Sequence, residues 1–146
     1  MLTIKDLLAQ KSKKLITIQP DASIFDAAQV LVANSIGALP VVENEKLVGI
    51  ISERDILRLC VRRLDYMKEA SVKEIMTTEL IIGLPSDDIE YVEGIITTNK
   101  IRHIPVIEND KLIGIVSIGD VVKSQLQEAH YENHYLKDYI MGKYPA

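Results

Sequence analysis

The stretch KLVGIISERD at residues 46–55 returns as KLIGIVSIGD at residues 111–120, 65 positions later. Extended to residues 38–58 against 103–123, the gapless alignment holds ten identities in twenty-one positions: Pro40/Pro105, Val41/Val106, Glu43/Glu108, Asn44/Asn109, Lys46/Lys111, Leu47/Leu112, Gly49/Gly114, Ile50/Ile115, Ser52/Ser117 and Asp55/Asp120. The same offset carries Pro20 onto Pro85, Ile24 onto Ile89, Leu31 onto Ile96 and Asn34 onto Asn99. At offset 68, IKDLLA (4–9) answers VKEIMT (72–77), so the first copy holds three extra residues, placed in its lysine-rich loop KSKK (11–14). The chain is a duplication, and each copy begins before its first strand.

Within a copy the hydrophobic period changes in a readable order. LITI (15–18), before Pro20, reads as a short buried strand. Residues 23–34 put Ile24, Ala27, Ala28, Leu31 and Val32 on one helical face, with Ser23 as N-cap. LPVV (39–42) and KLVGII (46–51) then read as strands around the polar turn ENE (43–45), a hairpin by length and composition. DILRLCVRRL (55–64) returns to helical spacing. The expected class is α/β (α+β): two β-α-β-β-α repeats, residues 1–63 and 64–125, packed about a pseudo-twofold axis, with a helical extension at 126–146. Repeats of this size bury their faces against each other, and the axis creates paired clefts of the kind small ligands prefer.

The bulk numbers narrow the function. With 146 residues, 47% apolar and 26% charged, the chain can bury a sizeable core. A formal charge of −4 gives no net attraction for nucleic acid. The apolar runs are strand-sized, so no membrane span is expected. The single cysteine, Cys60, cannot form an internal disulfide, and the N-terminus lacks a signal-like pattern, which points to the cytoplasm. Nothing resembles a nucleophile elbow or a phosphate-cradling glycine loop, so the chain is not expected to be an enzyme.

Both copies close their last strand with Gly-h-h-Ser-x-x-Asp: Gly49, Ser52 and Asp55, then Gly114, Ser117 and Asp120. Ser-x-x-Asp at a strand-to-helix junction approximates a capping box, which accounts for both residue types without a ligand. The same geometry also suits a nucleotide. A helix N-terminus attracts phosphate, and an Asp carboxylate accepts from both ribose hydroxyls. Only Ala38/His103, Glu53/Ile118 and Arg54/Gly119 differ without conservation across the twenty-one pairs, and two of them lie inside this element. Divergence there fits two clefts with different tasks.

These residues resemble the cystathionine β-synthase (CBS) domain family, and the chain is similar to a stand-alone tandem pair over about residues 1–125. The resemblance implies a regulatory module that binds adenosine-containing ligands: AMP first, or ADP, ATP, NAD or S-adenosylmethionine. By the same resemblance Asp55 and Asp120 are ribose acids, and Ser52 and Ser117 lie beside the phosphate. Thr17, Ile18, Ile36, Gly37 and Ala38 should face the Asp120 site, and Ile82, Gly83 and Ile101 the Asp55 site. Arg102 and His103 match cation-supplying positions, with Arg54 as the first copy's substitute. The Asp120 cleft is expected to be the better AMP site, with His103 protonated near neutral pH. A homodimer and an unidentified effector protein are the implied partners.

Other features read more plainly. His130, His134 and Asp138 form a metal-like helical face better explained by exposure, and of Tyr131, Tyr135, Tyr139 and Tyr144 in the last sixteen residues the first three, at i, i+4 and i+8, read as a packing stripe. Cys60 reads as core. Two other functions stand beside the regulatory one: an enzyme accessory or weak nucleotide hydrolase, and a dimerisation module without ligand.

Overall fold

The computed structural model describes residues 1–11 and 14–127. Helix α1 (Ile4–Gln10) is followed by α2 (Ile24–Asn34), the hairpin β1 (Ala38–Glu43) and β2 (Lys46–Ser52), and α3 (Glu53–Arg63). A 3-10 turn (Leu64–Tyr66) leads into the short α4 (Val72–Ile75), then α5 (Ile89–Asn99), the hairpin β3 (His103–Glu108) and β4 (Lys111–Ser117), and α6, helical over residues 118–127. The helices and hairpins read from the sequence are present in both copies, so the chain is a mixed helix-and-strand protein built from two repeats.

The local chemistry is duplicated along with the order. In both hairpins the two turn residues take positive φ, Asn44 and Glu45 at 52° and 65°, Asn109 and Asp110 at 51° and 61°. Positive φ at both central positions is the two-residue turn that matches the twist of paired strands. Register slips at the same place in each hairpin, between Val41 and Val42 and between Val106 and Ile107. Val48 and Ile113 are the bulged residues left over.

The first strand of each copy is shorter than expected. LITI contributes one parallel bridge, Ile18 to Val41, and its counterpart is Gly83 to Val106. Ile18 donates to Pro40 O (3.0 Å) and its carbonyl accepts from Val42 N (2.9 Å), after which Pro20 opens a turn. A Pro two residues on supplies no N–H to continue a ladder, so the segment ends there.

Each core borrows a helix from the other copy. Ile4 and Leu7 of α1 join Ile89, Val92, Ile96, Ile104, Val106, Val116 and Val121. Val72 of α4, with Ala70, joins Ile24, Ala27, Leu31, Leu39, Val41, Ile51 and Ile56. The backbone repeats the exchange: Ile4 N donates to Asp87 O and Ile89 N to Leu2 O, as Val72 N donates to Ala22 O and Ile24 N to Ala70 O. Strands β2 and β4 pack together where the copies meet. The C-terminal segment read as a helix from 126 begins, in its described part, as the end of α6. His130, His134, Asp138 and Tyr131, Tyr135, Tyr139 and Tyr144 lie outside the described residues.

Candidate functional site: two unequal clefts between the copies

The Ser-x-x-Asp elements fold as reciprocal caps. Ser52 N donates to Asp55 Oδ2 at 2.9 Å, and Asp55 N donates back to Ser52 Oγ at 3.3 Å. Ser117 N donates to Asp120 Oδ2 at 2.9 Å, and Asp120 N to Ser117 Oγ at 3.0 Å. The cap therefore exists in both copies, and it fixes where the two carboxylates stand. Each lines a cleft between the copies.

The Asp120 cleft encloses about 430 Å³ and is walled by Leu15, Ile16, Ile36, Gly37 and Ala38 on one side and by His103, Ile113, Ile115, Ser117 and Asp120 on the other. That volume falls within the roughly 300–1,000 Å³ typical of small-molecule sites. The Asp55 cleft encloses about 210 Å³ and brings together Ser52, Arg54, Asp55, Arg58, Leu80, Ile81, Ile101 and Arg102. Gly37 and His103 line both, so they form the partition. A Cβ on Gly37 would sit 3.4 Å from the His103 ring and 3.5 Å from Glu53 Oε1, in ordinary van der Waals contact with both.

Of the residues singled out in the sequence, Ile36, Gly37, Ala38, His103, Ser117 and Asp120 meet in the larger cleft. Ser52, Arg54, Asp55, Ile101 and Arg102 meet in the smaller one. Thr17, Ile18, Ile82 and Gly83 line neither. Their places are taken by Leu15 and Ile16, and by Leu80 and Ile81. The physical reason is the single bridge: Ile18 and Gly83 are tied to the hairpins by backbone bonds, Thr17 faces solvent, and the wall falls two residues earlier in both copies.

The lysines are the residues that pattern reading missed. Lys11, Lys14 and Lys123 all line the larger cleft. Lys11 Nζ lies 2.7 Å from Asp120 Oδ2 and donates to Ile115 O at 2.8 Å. Two signals were available. The extra residues of the first copy are a lysine run, and Lys123 aligns with Arg58, each a cation one turn past its Asp.

Electrostatics follow the geometry. Burial alone would raise the Asp120 carboxyl, but the Lys11 ammonium and the Ser117 N–H and hydroxyl outweigh it and hold the group below the ordinary carboxylate value. His103 behaves otherwise than expected. Burial pushes its pKa below the ordinary 6.5, with Lys11 and Arg102 acting in the same direction and Glu53 and Asp120 opposing. The imidazole is thus neutral at pH 7 in the ligand-free protein, a hydrogen-bonding group rather than a standing charge. Among the described residues no group of three or more His, Cys, Asp or Glu side chains is placed to hold a metal ion, and no helix is long and apolar enough to cross a membrane.

Comparison with known proteins bears on these clefts. The CBS domain family model matches residues 4–62 and again 72–127. A CBS domain-containing protein of Arabidopsis thaliana, CBSX3, named as mitochondrial, is 38% identical over 97% of this chain and 73% of its own. The crystal structure of the CBS domain NE2398 superposes with a TM-score of 0.81 at 42% identity, covering 86% of this chain and 98% of that one. CBSX2, solved in complex with AMP, gives 0.75 at 30% identity over 88% and 99%. The CBS domain pair of MJ0100, solved with 5′-methylthioadenosine and S-adenosylmethionine, gives 0.77 at 28% over 88% and 98%. Two matches spanning most of the sequence, on a fold with the same two repeats, place the chain in the CBS domain family as a tandem pair.

Proposed function

We propose that the protein is a regulatory module that binds AMP in the Asp120 cleft, the Asp55 cleft serving as a weaker or differently tuned second site. The observation that carries this reading is the larger cleft itself. One carboxylate able to accept from ribose hydroxyls, the Ser117 hydroxyl, a neutral imidazole and three lysines converge on a space of about 430 Å³. Structural relatives in complex with AMP, or with 5′-methylthioadenosine and S-adenosylmethionine, share the adenosine part. What distinguishes these ligands is charge at the 5′ position. Three lysines favour the phosphate and disfavour the sulfonium of S-adenosylmethionine by ordinary Coulomb repulsion.

Occupancy of a cleft between the copies would act by differential affinity for two packings of the repeats. Leu57 and Val61 on α3 and their repeat counterparts Val122 and Leu126 on α6 are exposed, a matched apolar face that supports a homodimer and offers an effector protein somewhere to read the change. The reducing compartment implied by the lone Cys60 is, by default, the cytoplasm. A hydrolase would need a base and metal that the cleft residues do not supply in any recognisable arrangement.

Thermal unfolding across AMP, ADP, ATP, NAD and S-adenosylmethionine tests the reading, because a ligand that binds only the folded state raises stability with concentration. The expected order puts AMP ahead of S-adenosylmethionine. Absence of a shift with every adenosine ligand at millimolar concentration would leave the dimerisation module as the surviving account.

A further inference from the structure

Lys11 and Glu79 occupy the same place in the two copies at the 68-residue offset, and each lines its own cleft with opposite charge. In the larger cleft the Lys11 ammonium donates both to Asp120 Oδ2, at 2.7 Å, and to Ile115 O, at 2.8 Å. In the other copy the matching carbonyl, of Ile50, is taken by the Thr77 backbone N–H at 2.8 Å. The cation nearest Asp55 is Arg58, 3.8 Å away and largely exposed. Lys11 is therefore an addition to one cleft, where it does for Ile115 with a side chain what the backbone does for Ile50.

The Lys11–Asp120 pair is three-quarters hidden, with the two side chains 26% and 21% exposed. An ammonium deprived of its carboxylate in such a place keeps its desolvation cost and loses its charge-assisted bonds. A ribose whose two hydroxyls take both oxygens of Asp120 has to take Oδ2 from Lys11. A nucleoside 5′-monophosphate brings a new anion for the displaced ammonium into the same cleft, whereas a bare nucleoside brings none. Resting on the reading of this cleft as a nucleotide site, we propose that Lys11 is its specificity latch: it withholds Asp120 from unphosphorylated nucleosides and yields it to those whose phosphate re-pairs the ammonium. The Asp55 cleft, with Glu79 at the equivalent position, lacks this discrimination.

Calorimetric titration of AMP and of adenosine into the full chain, and into Lys11→Met and Lys11→Arg variants, tests the latch. In the wild type AMP binds more tightly than adenosine. In Lys11→Met the loss of a charged hydrogen-bonding partner should weaken AMP by about tenfold and tighten adenosine by about threefold or more. Lys11→Arg should restore the preference. Should Lys11→Met fold poorly, Lys11→Gln removes the same charge and carries the same expectation. Adenosine affinity unchanged by removal of the charge would overturn the latch and leave Lys11 a simple phosphate contact. Equal weakening of both ligands would overturn it in favour of a structural role. If the wild type binds neither ligand, the nucleotide reading of the cleft falls and the latch with it. Binding of both with an unaltered preference sinks the latch alone.

Discussion

Asp120 does two jobs at the scale of a single residue: its carboxylate caps α6 through Ser117 and pairs with the Lys11 ammonium. Asp55 has the cap without the lysine. Removing the acid therefore costs stability in either copy, about 0.3–1.5 kcal/mol for the lost N3 member of a capping box, but should cost ligand binding mainly in one. Asp120→Ala is expected to abolish an AMP-dependent thermal shift that Asp55→Ala only reduces, read as the difference in Tm with and without AMP for each variant. His103 makes a second prediction. A half-buried imidazole whose pKa lies below its unfolded value of 6.5 binds fewer protons folded than unfolded. Its contribution is therefore present above pH 6.5 and is lost as pH falls through the lowered folded value. Denaturant midpoints measured between pH 7.5 and 5 should decline toward acid in the wild type and decline less in His103→Gln.

Elements repeat more faithfully than residues do, and this decides what the sequence could disclose. The two hairpins share turn, register and bulge because ENEK and ENDK put tolerant polar residues at both positive-φ positions. They were legible from spacing alone. The first strands were not, because LITI has strand-like residues but only one bridge's worth of partner before Pro20, and the cleft wall moved from Thr17 and Ile18 to Leu15 and Ile16 as a consequence. Lys11 escaped notice because its partner lies 109 residues away, a pairing that no local pattern encodes. Gly49 and Gly94 show both kinds of glycine. A Cβ at Gly49 would stand 2.7 Å from Met76 Sδ and 2.9 Å from Thr77 O, so Gly49→Ala should destabilise by about 1–3 kcal/mol. A Cβ at Gly94, on the exposed face in the middle of α5, would meet nothing within 4 Å. Gly94→Ala should stabilise by about 0.5–1 kcal/mol. Chemical denaturation of the two variants checks both signs.

At the scale of the whole molecule, duplication gives interdependence as well as symmetry. Because α1 completes the core of the second copy and α4 that of the first, the halves are expected to unfold together. Ile4→Ala, at a fully buried position, should cost about 2–5 kcal/mol and lower a single cooperative transition, not split it in two. That interlocking makes the clefts between copies a place where a ligand can bias the whole structure. The central claim is that the Asp120 cleft is a nucleotide site that depends on its acid. Titration calorimetry of AMP into the wild type and into Asp120→Asn tests it most directly. The account predicts saturable binding with one dominant site per chain, lost or greatly weakened in the variant. Binding of equal strength in Asp120→Asn, or no binding in the wild type, would contradict it.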